Sequence, residues 1–175
     1  MTITALASRL ETAICEVGPD QAEIACAVMH RAFVEYLARG AESGATRETT
    51  ETLRSEMIRS TRVALVVQGQ AVVGMVKFAV DEPTQTLYFS RLSVAPEARG
   101  AGVATRILDW LRERALGEGL AGLSCSVRAS EARNRAIYEH LGMVVVARST
   151  HVSLTGAVID SLRMVDLPLC ARSAC

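Results

Sequence analysis

Leu92-Ser93-Val94-Ala95-Pro96-Glu97-Ala98-Arg99-Gly100-Ala101-Gly102-Val103-Ala104-Thr105 reads as a strand that breaks at Pro96, crosses a loop of small residues and opens directly into an amphipathic helix. Proline has no amide hydrogen with which to continue a ladder, so the break is chemical. Gly100 and Gly102 let the backbone turn tightly and approach a ligand. The first four amides of the helix have no acceptors within it and point out of its positive end. The stretch therefore predicts an anion site that suits a phosphate or pyrophosphate.

Downstream, the helix runs from Gly102 to Leu116 and stops at Gly117 and Gly119. A strand Gly122 to Val127, a helix from about Ser130 to Leu141 stopped by Gly142, and a strand from Met143 follow. Upstream, Val63 to Val80 holds two β-rich runs flanking Gly69-Gln70, and a third run covers Thr86 to Val94, giving an antiparallel meander. Before it come a short strand near Ala13 to Val17, a turn at Gly18-Pro19 with Asp20 as helix cap, and a helix burying Ala25, Val28, Met29, Ala32, Phe33 and Tyr36 that ends near Gly40. Residues 41–48 read as loop, and Glu48 to Arg59 as a helix burying Leu53, Met57 and Ile58. A meander running into alternating helix and strand predicts an α/β (α+β) fold: one domain over residues 1–175, with a mixed central sheet of six to seven strands and helices on both faces. The phosphate loop then lies at the carboxyl end of a central strand, where such sheets bind ligands.

The bulk numbers narrow the partner. Half of the 175 residues are hydrophobic, and 19 Lys plus Arg balance 19 Asp plus Glu, so neither nucleic acid nor a membrane surface is expected. A small ligand is. Cys15, Cys26, Cys125, Cys170 and Cys175 are odd in number and without metal-ligand spacing, which predicts reduced thiols and no metal site. With no basic-then-apolar start and no long apolar run, the expected location is cytoplasmic.

Two familiar phosphate motifs do not fit. A nucleoside triphosphatase loop needs a lysine after its second glycine, and a dinucleotide fold needs a third glycine and a later acid, whereas Gly100-Ala101-Gly102-Val103-Ala104-Thr105 ends in threonine and Leu120 to Ser124 holds no acid. Arg99, Gly102 and Ala104 do match the pattern R/Q-x-x-G-x-G/A. With Asn134-x-x-x-Tyr138-Glu139-x-Leu141-Gly142-Met143 downstream, the chain resembles the GNAT superfamily of acyl-CoA-dependent N-acyltransferases along nearly its whole length.

The resemblance implies that the amides of Ala101, Gly102, Val103, Ala104 and Thr105, at the loop opened by Arg99 and Gly100, bind the pyrophosphate of acetyl-CoA. The strand segment Leu92, Ser93 and Val94 would splay from the next strand and pair with the pantetheine arm. Tyr138 falls at the family's general acid, and a phenol of pKa about 10 stays protonated at neutral pH and can serve a leaving thiolate of about 8.5. The Val94 amide is the expected oxyanion donor. Asn134 shares a helix face with Tyr138, and cofactor binding and a helix-surface role both stay open for it. Many members carry asparagine seven positions before the tyrosine, where this chain has Glu131. No carboxylate occurs from Leu87 to Val94, so the base is expected to be a water held by Tyr88 or Ser90.

By position in that architecture, Glu35, Tyr36, Arg91 and His151 are the candidate acceptor contacts, while His30 and His140 read as surface residues. The expected activity is acetyl transfer to a primary amine of a small molecule by direct attack in a ternary complex. A peptide or protein N-terminal acetyltransferase, and a sensor that binds acyl-CoA without catalysis, stand as alternatives. A homodimer through the last strands is common in the family.

Overall fold

The structure, a computed structural model, describes residues 12–38, 44–153 and 156–166, with only the backbone at 36–38. Seven strands form one sheet: β1 (Thr12–Val17), β2 (Arg62–Gln68), β3 (Ala71–Asp81), β4 (Thr86–Val94), β5 (Leu123–Arg128), β6 (Val144–Val152) and β7 (Val158–Asp166). Their order is β1-β2-β3-β4-β5-β7-β6. Only β4 and β5 are parallel; every other neighbour is antiparallel. The mixed sheet and α/β class match the expectation. The position of β7, slotted between β5 and β6, is new.

Helices α1 (Ala22–Ala38), α2 (Gly44–Arg47) and α3 (Thr50–Arg59) precede the meander, α4 (Val103–Gly117) follows β4 and α5 (Ala132–His140) follows β5. Two hydrophobic clusters, divided by the sheet, hold the layers together. Ala25, Val28 and Met29 of α1 and Leu53 of α3 pack with Val63, Leu65 and Met75 on one face. Val103, Ile107, Leu108, Leu111 and Ala115 of α4, at helical spacing, pack with Val76, Phe78, Leu87, Phe89, Leu123, Cys125 and Met164 on the other. Because β2 and β3 are covered on both faces, they are continuous apolar runs rather than alternating ones.

Several local readings change. Asp20 does not cap α1: it lies inside a 3-10 turn, Pro19–Gln21, that leads into the helix. The expected loop 41–48 contains the short α2, and α3 starts at a reciprocal cap in which Thr49 and Thr52 each accept the other's backbone N–H. Leu53 is buried and Met57 partly so, but Ile58 is exposed, because α3 turns only its Leu53 stripe to the sheet. The expected helix end at Gly40, and Cys170 and Cys175, lie outside the described residues. Among the described residues no helix is long and apolar enough to cross a membrane, and no group of three or more His, Cys, Asp or Glu could hold a metal ion.

Candidate active site

The parallel pair at the centre of the sheet is barely a pair. β4 and β5 match only at Leu87 with Leu123 and Tyr88 with Ser124. Below that point Ala121 donates to the Gln85 carbonyl at 2.7 Å and Leu87 to the Gly122 carbonyl at 2.9 Å, which closes one end. Above it β4 stays with β3 as far as Val94 and β5 stays with β7 as far as Arg128, so the facing edges part. The Ala95 amide donates to the Val73 carbonyl at 2.8 Å. Hydrogen-bonding direction alternates along an antiparallel edge, so the Val94 amide points the opposite way, into the gap.

A bulge sets this up. Lys77 faces Ser90 and Met75 faces Ser93, leaving Val76 opposite both Arg91 and Leu92. Arg91 takes a φ of 53°, unusual for a residue with a side chain, and the Ser93 hydroxyl donates to its carbonyl at 2.7 Å. The extra residue resets the alternation, so Leu87 and Phe89 before it and Leu92 and Val94 after it all turn to the α4 side.

At the end of β4, a 3-10 turn over Pro96–Ala98 leads to Gly100 and Gly102, both at φ 76°, and α4 begins at Val103. A Cβ at either glycine would meet nothing within 4 Å, so glycine is required here by backbone conformation and the space beside it is open. The first bond within α4 is Arg106 N–H to the Gly102 carbonyl at 3.1 Å, and the amides of Val103, Ala104 and Thr105 precede it. The first turn carries no acidic residue.

Tyr138 and Asn134 are half-buried one turn apart on α5. The Tyr138 ring stands edge-on to Phe89, centroids 5.6 Å apart at 80°, and Phe89 is the first residue of β4 past its paired stretch with β5. Tyr138 thus sits where the gap begins. Arg112 of α4 fixes this end of α5 by donating to the Leu141 carbonyl while pairing with Asp166 and Asp109. Burial opposes the charge of Arg112, but its bonds to the two aspartates outweigh that and hold its proton more firmly than usual.

Arg99, expected to add charge at the phosphate loop, reaches instead to α1. It pairs with Glu35 at 3.0 Å and donates to the carbonyls of Ala32 at 2.8 Å and Val94 at 3.4 Å. Glu35, read as an acceptor contact, is its partner. Tyr88 lies under the Arg163 guanidinium at 5.3 Å, and Ser90 is opposite Lys77. His151 is exposed on β6, opposite Ile159, and the Tyr36 side chain lies outside the described residues.

Arg91, read as an acceptor contact, belongs to a buried ion cluster that no motif announced. Glu48, 8% exposed, binds Lys77, 7% exposed, through one carboxylate oxygen and Arg91 at 3.0 Å through the other, and Lys77 also pairs with Glu56. The guanidinium of Arg91 lies so close to Gly44 that a Cβ there would come within 2.5 Å of Nη2. His30 is exposed, as read, and its ring also hydrogen-bonds the Glu48 carbonyl at 2.7 Å. Its neighbour Cys26 has its thiol pKa pushed up, chiefly by burial and further by the Glu48 charge. The one signal in the chain was Lys77 itself, a lone charge inside the apolar run Val72–Val80.

A splayed central parallel pair, with a glycine-hinged helix start at its mouth, defines a mixed α/β scaffold with room for an extended ligand that ends in an anion. Residues 28–143 match the acetyltransferase (GNAT) family, and the chain belongs to that family. Among proteins of curated function none matches its sequence. Solved structures share the fold at low identity. A GNAT-family acetyltransferase from Streptococcus pneumoniae is 17% identical with a TM-score of 0.69, covering 90% of this chain and 99% of its own. The ribosomal-protein-S18-alanine N-acetyltransferase of Escherichia coli is 19% identical, TM-score 0.70, covering 90% and 94%. Spermidine N-acetyltransferase of Vibrio cholerae, in complex with CoA and spermine, is 16% identical, TM-score 0.69, covering 89% and 95%.

Proposed function

We propose that this chain moves an acetyl group from acetyl-CoA to a primary amine of a small molecule by direct attack within a ternary complex. The observation that supports it most is the β4–β5 gap, with the Val94 amide turned into it and Tyr138 at its origin. The amides from Ala101 to Thr105 take the pyrophosphate, and the open space beside Gly100 and Gly102 suits that role. The free edge of β4 at Leu92 and Val94 pairs with the amides of the pantetheine arm, as an added strand would.

Each proton and charge then has a candidate partner. Val94 N–H donates to the thioester oxygen as negative charge develops there. The Tyr138 hydroxyl gives its proton to the departing thiolate, and its edge-on seat against Phe89 limits where that hydroxyl can go. Glu48, a buried carboxylate that touches β4 through Arg91, has both of its oxygens already bonded to cations and is not placed to accept the amine proton. The amine proton therefore leaves through a water at Tyr88 or Ser90.

The test is release of free thiol from acetyl-CoA by the purified protein across a panel of amines and peptides. Tyr138→Phe keeps the ring on Phe89 and removes only the hydroxyl, so it should lower kcat by about 100-fold with little change in the KM for acetyl-CoA. Turnover with peptide N-termini alone would favour the peptide reading. Binding without turnover would favour an acyl-CoA sensor. Failure to bind acetyl-CoA would overturn all three.

A further inference from the structure

Beyond the cofactor gap, the structure holds a cavity of about 680 Å³ between α2, the residues that follow β5 and the tip of the β6–β7 hairpin. Its polar lining is Arg47, Arg128, Ser130, Arg148, Ser153 and Asp160: three guanidiniums against one carboxylate, in a chain whose formal charge is zero. Asp160 is already committed, accepting from Thr150 at 2.6 Å and pairing with Arg148 at 3.4 Å. Arg128 is half-buried, and its guanidinium has no hydrogen-bond or carboxylate partner among the described residues.

The position of Arg128 links this cavity to the transfer site. It is the last residue of β5, at the carboxyl end where β5 has parted from β4. Leu123, Cys125 and Val127 turn to the α4 side, so alternation puts Arg128 on the α1–α3 face with Ser124 and Ser126. The phosphate loop leads into α4 and so serves the other face. A molecule that places its amine at the gap from the α1–α3 side would thus lay the rest of itself against Arg128.

We infer that the acceptor amine carries an oxyanion group, a carboxylate or a phosphate, which Arg128 receives in a fork of two hydrogen bonds. A half-buried guanidinium with no carboxylate beside it leaves its donors for an anion to take, and the planar fork matches a carboxylate or phosphate edge. The same charge disfavours a polyamine acceptor, whose added charges have the wrong sign. This inference rests on the acetyltransferase reading above, and its test separates the two.

Thiol release is measured with free α-amino acids, the matching amino-acid amides, phosphoethanolamine and spermidine, and amino-acid binding to the CoA-loaded protein is followed by calorimetry. Carboxylate or phosphate acceptors should exceed the amides in kcat/KM, the better of the two identifying the oxyanion. Arg128→Ala should raise the KM of the favoured acceptor about 10- to 100-fold, the worth of a charge-assisted fork, with kcat and acetyl-CoA affinity nearly unchanged. Arg128→Lys should recover part of the loss. Equal use of acids and amides, a preference for spermidine, or an acceptor KM unmoved in Arg128→Ala would overturn the inference while leaving the transferase reading intact. Amino-acid binding that Arg128→Ala abolishes, without thiol release from any amine, would uphold the anion site and overturn the transferase reading.

Discussion

The two ends of the gap are built from different materials. On the α4 side, the surface offered to a ligand is backbone: amides of a helix start, a freed strand edge and two glycines at φ 76°. On the α1–α3 side it is side chains drawn from separate parts of the chain, with Glu48, Lys77 and Arg91 forming a buried ion cluster and Arg47, Arg128 and Arg148 ringing a cavity. Backbone chemistry is the same for any sequence that can adopt the loop, so on the proposed reading the donor side is generic. Side-chain chemistry belongs to this chain, so on that reading the acceptor side would carry its specificity.

The sharpest way to break that contrast is to damage the side-chain half and look for an effect on the backbone half. Glu48→Ala leaves the buried Lys77 only the part-exposed Glu56 as partner and Arg91 with none from this cluster, and should destabilise the fold by about 3 kcal/mol, read as a lower denaturant midpoint. At a temperature where the variant is still folded, its affinity for acetyl-CoA should be unaltered; if it falls as well, the two halves are coupled. The converse is Gly102→Val. A β-branched residue at φ 76° costs about 1–2 kcal/mol, and acetyl-CoA binding measured by calorimetry should weaken about 10-fold, while the acceptor KM stays put.

A third test addresses the clasp between the two halves of the sheet. Arg163 of β7 binds Asp81 of β3 and donates to Ser124 of β5 at 2.9 Å, at the closed end of the gap. Hydrogen bonds from Thr84 and then Arg163 hold the Asp81 carboxyl below the usual carboxylate range. A carboxyl whose pKa is depressed by folding adds stability above its unfolded value of about 3.9 and loses it as pH falls through the folded value. Asp81→Asn should therefore lower Tm at neutral pH, by about 1 kcal/mol of stability, and flatten the acid limb of the Tm–pH curve. Gly44→Ala should have the smallest effect. Its Cβ would press the tip of Arg91, a flexible group that can move aside, so thermal melting should show a loss under about 1 kcal/mol.

The same contrast explains what could be read from the chain alone. Pro96, Gly100 and Gly102 act on their own backbone, so the strand break, the loop and the start of α4 were legible within fourteen residues. Helix-face periodicity exposed the core face of α1 for the same reason. Arg99 was legible as a motif position but not as a contact, since its partner Glu35 lies 64 residues away. Glu48, Lys77 and Arg91 come from a loop and two strands, and no local pattern joins them. Ile58 misled because an apolar residue at helical spacing says that a helix has a face, not how wide that face is. The insertion of β7 between β5 and β6 follows from sheet pairing over distance, which a pass along the sequence does not sense.

The bulge at Arg91 and Leu92 has a consequence for how such a chain can change over generations. It works as a shift of reading frame: one strand serves the core at Leu87 and Phe89 and, one residue out of step, presents its ligand edge at Val94. Point substitutions in β4 alter single contacts. If the bulge were ironed out with every residue kept, Val94 would turn to the opposite face and the donor edge would be lost in one event, whereas a strand one residue shorter here would need no bulge to keep Val94 where it is. In β4, then, length and bulge are tied to each other: one can change only if the other changes with it.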